Sequence, residues 1–159
     1  MIKLHKEKTF KDVEGMLYSY TRIKADIKDI ELDIEELKDT VQGINGKSDN
    51  EIMQSTPTNK TGDPVADEVC RKEQEIDKLL KIRRSKERYI ERVDNMLTTL
   101  SEEEQEFVKL KYIGGKKGKD IEKTLSISRD GVSSRRKVIV SSLVNFLNNT
   151  KNTQKTHIN

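Results

Sequence analysis

The chain has one cysteine, no tryptophan, two prolines and, at three phenylalanines and four tyrosines, few aromatic residues. Cys70 stands alone, which excludes an internal disulfide and any cysteine-based zinc site. It reads as a small packing residue, and a reducing cytoplasm is the expected compartment. No apolar run approaches the roughly 20 residues that span a bilayer, so a membrane is not an expected partner. Residues 1–10 lack the apolar centre of a secretory leader. His5 and His157 lie near opposite ends with no serine or cysteine motif beside them, so a nucleophilic site is not expected. The carboxylates fall where helix faces meet water. The chain is therefore expected to be no enzyme and to hold no cofactor and no metal.

One segment invites a nucleotide reading. Gly114-Gly115-Lys116-Lys117-Gly118-Lys119-Asp120 is rich in glycine and lysine. A phosphate-binding P-loop needs GxxxxGK[ST]. Here Ile113 replaces the first glycine, and Asp120 replaces the hydroxyl residue that would hold magnesium. A backbone phosphate of DNA suits these lysines better.

Charge and helical periodicity are what the chain has in plenty. Charged residues make up 37% of it. That composition, with its few aromatics, fits an all-α protein with a modest core. The charge is divided unevenly. From Gln105 to Asn159 there are twelve Lys or Arg and four Asp or Glu, a net of +8; the whole chain is +3, which leaves −5 for residues 1–104. A basic module beside an acidic one draws phosphate to one end. Lysine outnumbers arginine 22 to 9 and isoleucine and asparagine are frequent, as in an AT-rich genome of a low-GC bacterium or its phage.

Residues 1–99 read as a long helical hairpin. Phe10, Val13, Leu17 and Tyr20 are spaced 3, 4, 3, and Ile27, Ile30, Ile34, Leu37, Val41 and Ile44 repeat the alternation. Ile23 bridges the runs with a short step. The spacing predicts a coiled-coil-like helix roughly 50 Å long. Residues 43–64 contain both prolines and three glycines and are expected to form a flexible connection. Val65, Val69, Ile76, Leu79, Ile90, Val93, Leu97 and Leu100 predict a second long helix, interrupted by Lys72, Arg83 and Lys86. Two such helices fold back most simply as an antiparallel hairpin. One two-helix layer buries little apolar area, so a homodimer is expected.

Residues 100–148 carry three shorter helical signals. Ser101 precedes Glu102, Glu103 and Glu104, the pattern of a capping box. Phe107, Val108, Leu110 and Ile113 are the apolar positions of that helix, and Gly114-Gly115 ends it. A second helix runs from about Gly118 to Leu125. After a break at 126–128, Ser128 caps a third that runs through Val132, Ile139, Leu143 and Phe146 to about Leu147. In a helix-turn-helix, the early residues of the later helix meet base edges in the major groove. Arg129, Ser133, Arg136 and Lys137 are the expected base-reading residues. Lys116, Lys117, Lys119, Ser128, Ser134 and Arg135 are the expected phosphate contacts. Residues 149–159 are polar and unpatterned and are expected to be a disordered tail.

The run from Leu100 to Leu147 resembles region 4 of the sigma-70 family, and more closely the region-4-like domain of Gram-positive prophage regulators of the late-operon and autolysin-regulator type. The features that carry the resemblance are the acid-rich first turn Leu100–Glu104, the core Asp120-Ile121-Glu122-Lys123-Thr124-Leu125-Ser126-Ile127-Ser128, and Val132 followed by Arg135, Arg136 and Lys137. The pattern departs at three positions. Glu122 stands where such domains usually have alanine, Ser126 where they have glycine, and Lys117 where they have a Ser or Thr cap. The resemblance implies a transcriptional regulator that binds double-stranded DNA at promoters with RNA polymerase in a bacterial host cell. The absence of tryptophan and of an aromatic-rich promoter-melting segment argues against a complete sigma factor. Two other readings join the same elements: a phage small terminase subunit, and a coiled-coil adaptor whose last domain binds protein.

Overall fold

The computed structural model describes residues 7–46 and 62–155, and every element among them is helical. Helix α1 spans Phe10–Gly46 and α2 spans Pro64–Leu97. Helix α3 spans Glu102–Val108 and runs on into a π-helical turn, Lys109–Ile113. Helix α4 spans Gly118–Leu125 and α5 spans Arg129–Lys155. The long connection expected at 43–64 lies mostly outside the described residues. At its edges, α1 continues through Gly43 to Gly46 and α2 begins at Pro64.

The starts of α1, α2 and α3 each have a local cause. At α1, the Thr9 hydroxyl accepts from the Asp12 N–H at 3.3 Å, and the Asp12 carboxylate accepts from the Thr9 N–H at 2.9 Å. That reciprocal pair satisfies two amides that the helix ladder cannot reach. At α2, the Asp63 carboxylate accepts from the Val65 N–H at 3.0 Å. Pro64 takes the first helical position, where a missing N–H costs nothing. At α3 the capping box forms as the sequence predicts: the Ser101 hydroxyl accepts from the Glu104 N–H at 3.3 Å, and the Glu104 carboxylate from the Ser101 N–H at 2.9 Å.

Helices α1 and α2 pack together as a hairpin. By contact the chain divides into two compact units, and the division falls inside α1 and α2 rather than at residue 99. One unit comprises residues 24–88, and the other joins residues up to Ile23 with those from Tyr89 on.

In the 24–88 unit, Lys86 Nζ meets Asp26 at 2.6 Å and Arg83 approaches Glu31 at 3.9 Å, which fixes the antiparallel sense. The basic residues that interrupt the α2 stripe are therefore answered by acids. Lys72 is 4.0 Å from Glu68, and Arg83 Nε is 3.2 Å from Glu87, off the line of its N–H. The apolar seam here is thin. Ile30 and Ile34 are buried, Ile27, Leu37, Ile76 and Leu79 are half-buried, and Leu32, Val65 and Ile82 are exposed.

The other unit holds the main core. Val13, Met16, Leu17 and Tyr20 from α1 meet Ile90, Val93, Met96 and Leu100, then Phe107, Val108, Tyr112, Ile121, Val132, Ile139, Val140 and Leu143. Among the described residues, the largest fully buried side chains, from Phe107 and Leu17 to Val108 and Val140, all belong to this unit. Met16 and Met96 were absent from the expected stripes. The seam takes Met96, fully buried, and leaves Leu97 half-buried, one position off the predicted register.

Two turns depend on backbone conformation. In the π turn the Gly114 N–H donates to the Lys109 carbonyl at 2.7 Å, and the Lys116 N–H to that of Leu110 at 2.9 Å. A Cβ at Gly114 would stand 3.1 Å from the Lys109 oxygen and crowd it, and Gly115 has φ +59°, where any side chain is strained. After α4, Ser126 adopts φ 52°, ψ 43°. The left-handed turn thus forms around a serine, at the cost a Cβ incurs there.

Helix α5 continues to Lys155, two turns past the end expected near Leu147, and takes in most of the segment expected to be a disordered tail. No glycine or proline interrupts 148–155, so the backbone ladder propagates. Residues 156–159 lie outside the described residues.

Candidate functional site

The lysine-rich segment after the π turn and the start of α5 face each other across a groove of about 920 Å³. It is lined by Lys111, Lys117, Gly118, Lys119, Asp120 and Glu122 on one side and by Arg129, Val132, Ser133 and Arg136 on the other. Five of these are cationic and two are acidic, so the groove is a basic trough with an apolar floor at Val132. Lys117 is the N-cap of α4 and makes no side-chain cap hydrogen bond; its carbonyl accepts from the Asp120 and Ile121 N–H groups at 3.0 and 3.1 Å.

The expected site residues divide into three groups. Arg129, Ser133, Lys117 and Lys119 line the groove and are exposed. Lys116, Ser134 and Lys137 are exposed but do not line it. Ser128, Arg135 and Arg136 are already engaged within the protein. The Ser128 hydroxyl oxygen accepts from the Gly131 N–H at 3.1 Å and so caps α5. Arg135 is half-buried with Nη2 3.7 Å from Glu103.

Arg136 is the most tightly held. Its Nε and Nη2 donate to the two oxygens of Glu14 at 2.6 and 2.8 Å, a bidentate pair. The Tyr112 hydroxyl donates to the same carboxylate at 2.7 Å. The Phe10 ring lies under the guanidinium, 5.3 Å from centroid to carbon. The reason is the face of α5 on which Arg136 falls. At 100° per residue it lies about 40° from Val132 and about 60° from Ile139, inside the buried stripe. Ser134 and Lys137 lie about 140° or more from Val132, on the outer face.

The cluster perturbs its own titration. The Arg136 hydrogen bond holds the Glu14 carboxyl below its ordinary value, against the opposing effect of burial, and the Tyr112 bond adds to the lowering. Burial pushes the Tyr112 phenol up, and its bond to anionic Glu14 pushes it further. The Glu14 bond likewise raises Arg136, so the guanidinium is a permanent cation.

Sequence reasoning missed Glu14, Tyr112 and Lys111. Glu14 stands next to Val13 in a stripe whose charged neighbours read as surface. Tyr112 is brought inward by the π turn, which no local pattern announces. Among the described residues no group of His, Cys, Asp and Glu is placed to hold a metal ion. No described helix is long and apolar enough to cross a membrane. Compared with known proteins, the chain matches no family model, no curated protein and no solved structure.

Proposed function

We propose that this chain is a non-enzymatic, sequence-specific DNA-binding transcription regulator of the sigma-70 region-4-like prophage type, acting at promoters with RNA polymerase. The observation that carries this reading is the basic groove where α4 and α5 begin, with Lys117, Lys119 and Arg129 exposed along it. Phosphate contacts set register, and base edges are read by side chains at the start of the later helix. Arg129, Ser133 and Lys137 are the base-reading candidates; Lys116, Lys117, Lys119 and Ser134 are the phosphate candidates. Homodimerisation is part of the same reading. The 24–88 unit leaves Leu32, Val65 and Ile82 exposed, and a second copy is the simplest cover for them.

Fluorescence anisotropy with duplex DNA over a salt series tests the reading. Affinity should fall linearly on a log–log plot, because each neutralised phosphate releases condensed counterions. A flat response would favour the protein-binding adaptor, for which the same exposed apolar side chains speak. Sedimentation separates the packaging alternative: a closed ring of about eight or more copies belongs to a small terminase subunit, a dimer to a regulator.

A further inference from the structure

The five cations of the groove do not stand alike. Lys117, Lys119 and Arg129 are exposed to water, and Lys111 is half-buried with its ammonium 5.7 Å from the Tyr112 ring centroid. Arg136 alone among them meets a carboxylate in a bidentate pair, and that carboxylate comes from α1, none of whose residues lines the groove. The Glu14 side chain is 14% exposed and that of Arg136 is 38% exposed. The anion therefore sits behind the cation, with the guanidinium at the groove wall. Tyr112 also donates to Glu14, so the carboxylate is anchored from a second side.

A guanidinium paired in this way has its charge cancelled at short range and its Nε–Nη2 edge occupied. Sequence-independent affinity scales with the number of phosphates that unpaired cations neutralise. We propose that Glu14 withholds Arg136 from DNA, so that α1 sets the standing charge of the groove. This rests on the DNA-binding reading above. Arg136 is then a positioning residue for α5 and not a reader of bases. One more unmasked cation would raise affinity for every sequence alike. Masking it lowers binding to random duplex and leaves discrimination to Arg129, Ser133 and Lys137.

The test uses the full chain and a labelled random-sequence duplex of about 20 base pairs, titrated at roughly 50–200 mM salt. Glu14→Gln keeps an acceptor for Tyr112 and removes the counter-charge. Its salt slope should steepen by about 0.9, an extra three- to fourfold loss of affinity across that range. Glu14→Gln combined with Arg136→Gln should return the slope to that of the unaltered chain, which a merely structural pair would not make happen. The Arg136 Nε–H resonance of the unaltered protein should not move on addition of duplex, a readout that needs no variant. An unchanged slope in folded Glu14→Gln, a flatter slope in the double variant, or a shifted Arg136 resonance would each overturn the proposal and leave DNA binding intact. Absence of binding by the unaltered chain at every salt concentration would overturn both.

Discussion

Asn148 holds the main chain of Lys8 from both sides. Its carboxamide oxygen accepts from the Lys8 N–H at 2.9 Å, and its amide donates to the Lys8 carbonyl at 3.1 Å. A residue near the end of the chain thus pins the lead-in to α1. Two hydrogen bonds contribute about 1 kcal/mol each. Asn148→Ala is expected to lower unfolding stability by roughly 2 kcal/mol, read from urea midpoints at constant m-value.

The shared core makes a stronger statement about truncation. Phe107, Val108 and Leu143 are fully buried in a unit that also contains Val13, Leu17, Val93 and Met96. A fragment starting at Leu100 leaves those partners behind. It is expected to show little cooperative thermal unfolding by circular dichroism. In the full chain, Met96→Ala should cost about 2–5 kcal/mol.

The left-handed serine gives a gain-of-stability test. Ser126 at φ 52° bears a Cβ penalty that glycine avoids. Ser126→Gly is expected to stabilise the protein by about 1 kcal/mol, and Gly115→Ala to destabilise it by at least as much. Thermal midpoints of the two variants should move in opposite directions.

The Glu14 cluster has a pH signature with a definite sign. The Glu14 carboxyl is held below its ordinary 4.5 by Arg136. Its contribution is therefore present above that ordinary value and is lost as pH falls through the lower folded value. Tyr112 runs the other way. Its folded value is raised above 10.0 by burial, so its contribution is complete below pH 10 and is lost as pH rises through the folded value. Glu14→Gln should flatten the acid limb of the stability profile, and Tyr112→Phe the alkaline limb. Denaturant midpoints across pH measure both.

Groove side chains should divide by role. Lys117→Ala should weaken binding to all duplexes alike and reduce the salt slope by about 1. Arg129→Ala should cost about 1–3 kcal/mol on the preferred site and relax preference at one base pair. Selection from a randomised duplex pool separates the two outcomes.

Most of the helix architecture was legible because it rests on local causes. The Ser101 box, the Gly114-Gly115 stop and the 3-4 alternation of Val13, Leu17 and Tyr20 are each visible within a few residues. The register of Met96 against Leu97 was not, since both are apolar and only packing chooses. The outward placement of cations was legible at Lys117, Lys119 and Arg129, which the structure leaves exposed along the groove. The outward face expected for Arg136 was not found: its guanidinium is half-buried and paired with Glu14. The spacing 132, 136, 139, 143 already placed Arg136 within the buried stripe. Its partner Glu14, 122 residues away, gave no local sign.

The π turn at Lys109–Ile113 has a consequence for chain length. It accommodates one more residue than a regular turn would, and it does so between the Ser101 box and the glycines. Removing one residue there would restore an ordinary ladder, with the Lys109 carbonyl still paired, and leave the downstream chain close to its present phase. Loss of a residue ahead of Tyr112 would move that ring off its carboxylate, while the lysines beyond the turn would keep their place along the groove. The segment should therefore tolerate the loss of one residue better than the regular turns of the long helices do, where a deletion rotates all that follows by about 100°, and a deletion scan would read the difference as retained folding.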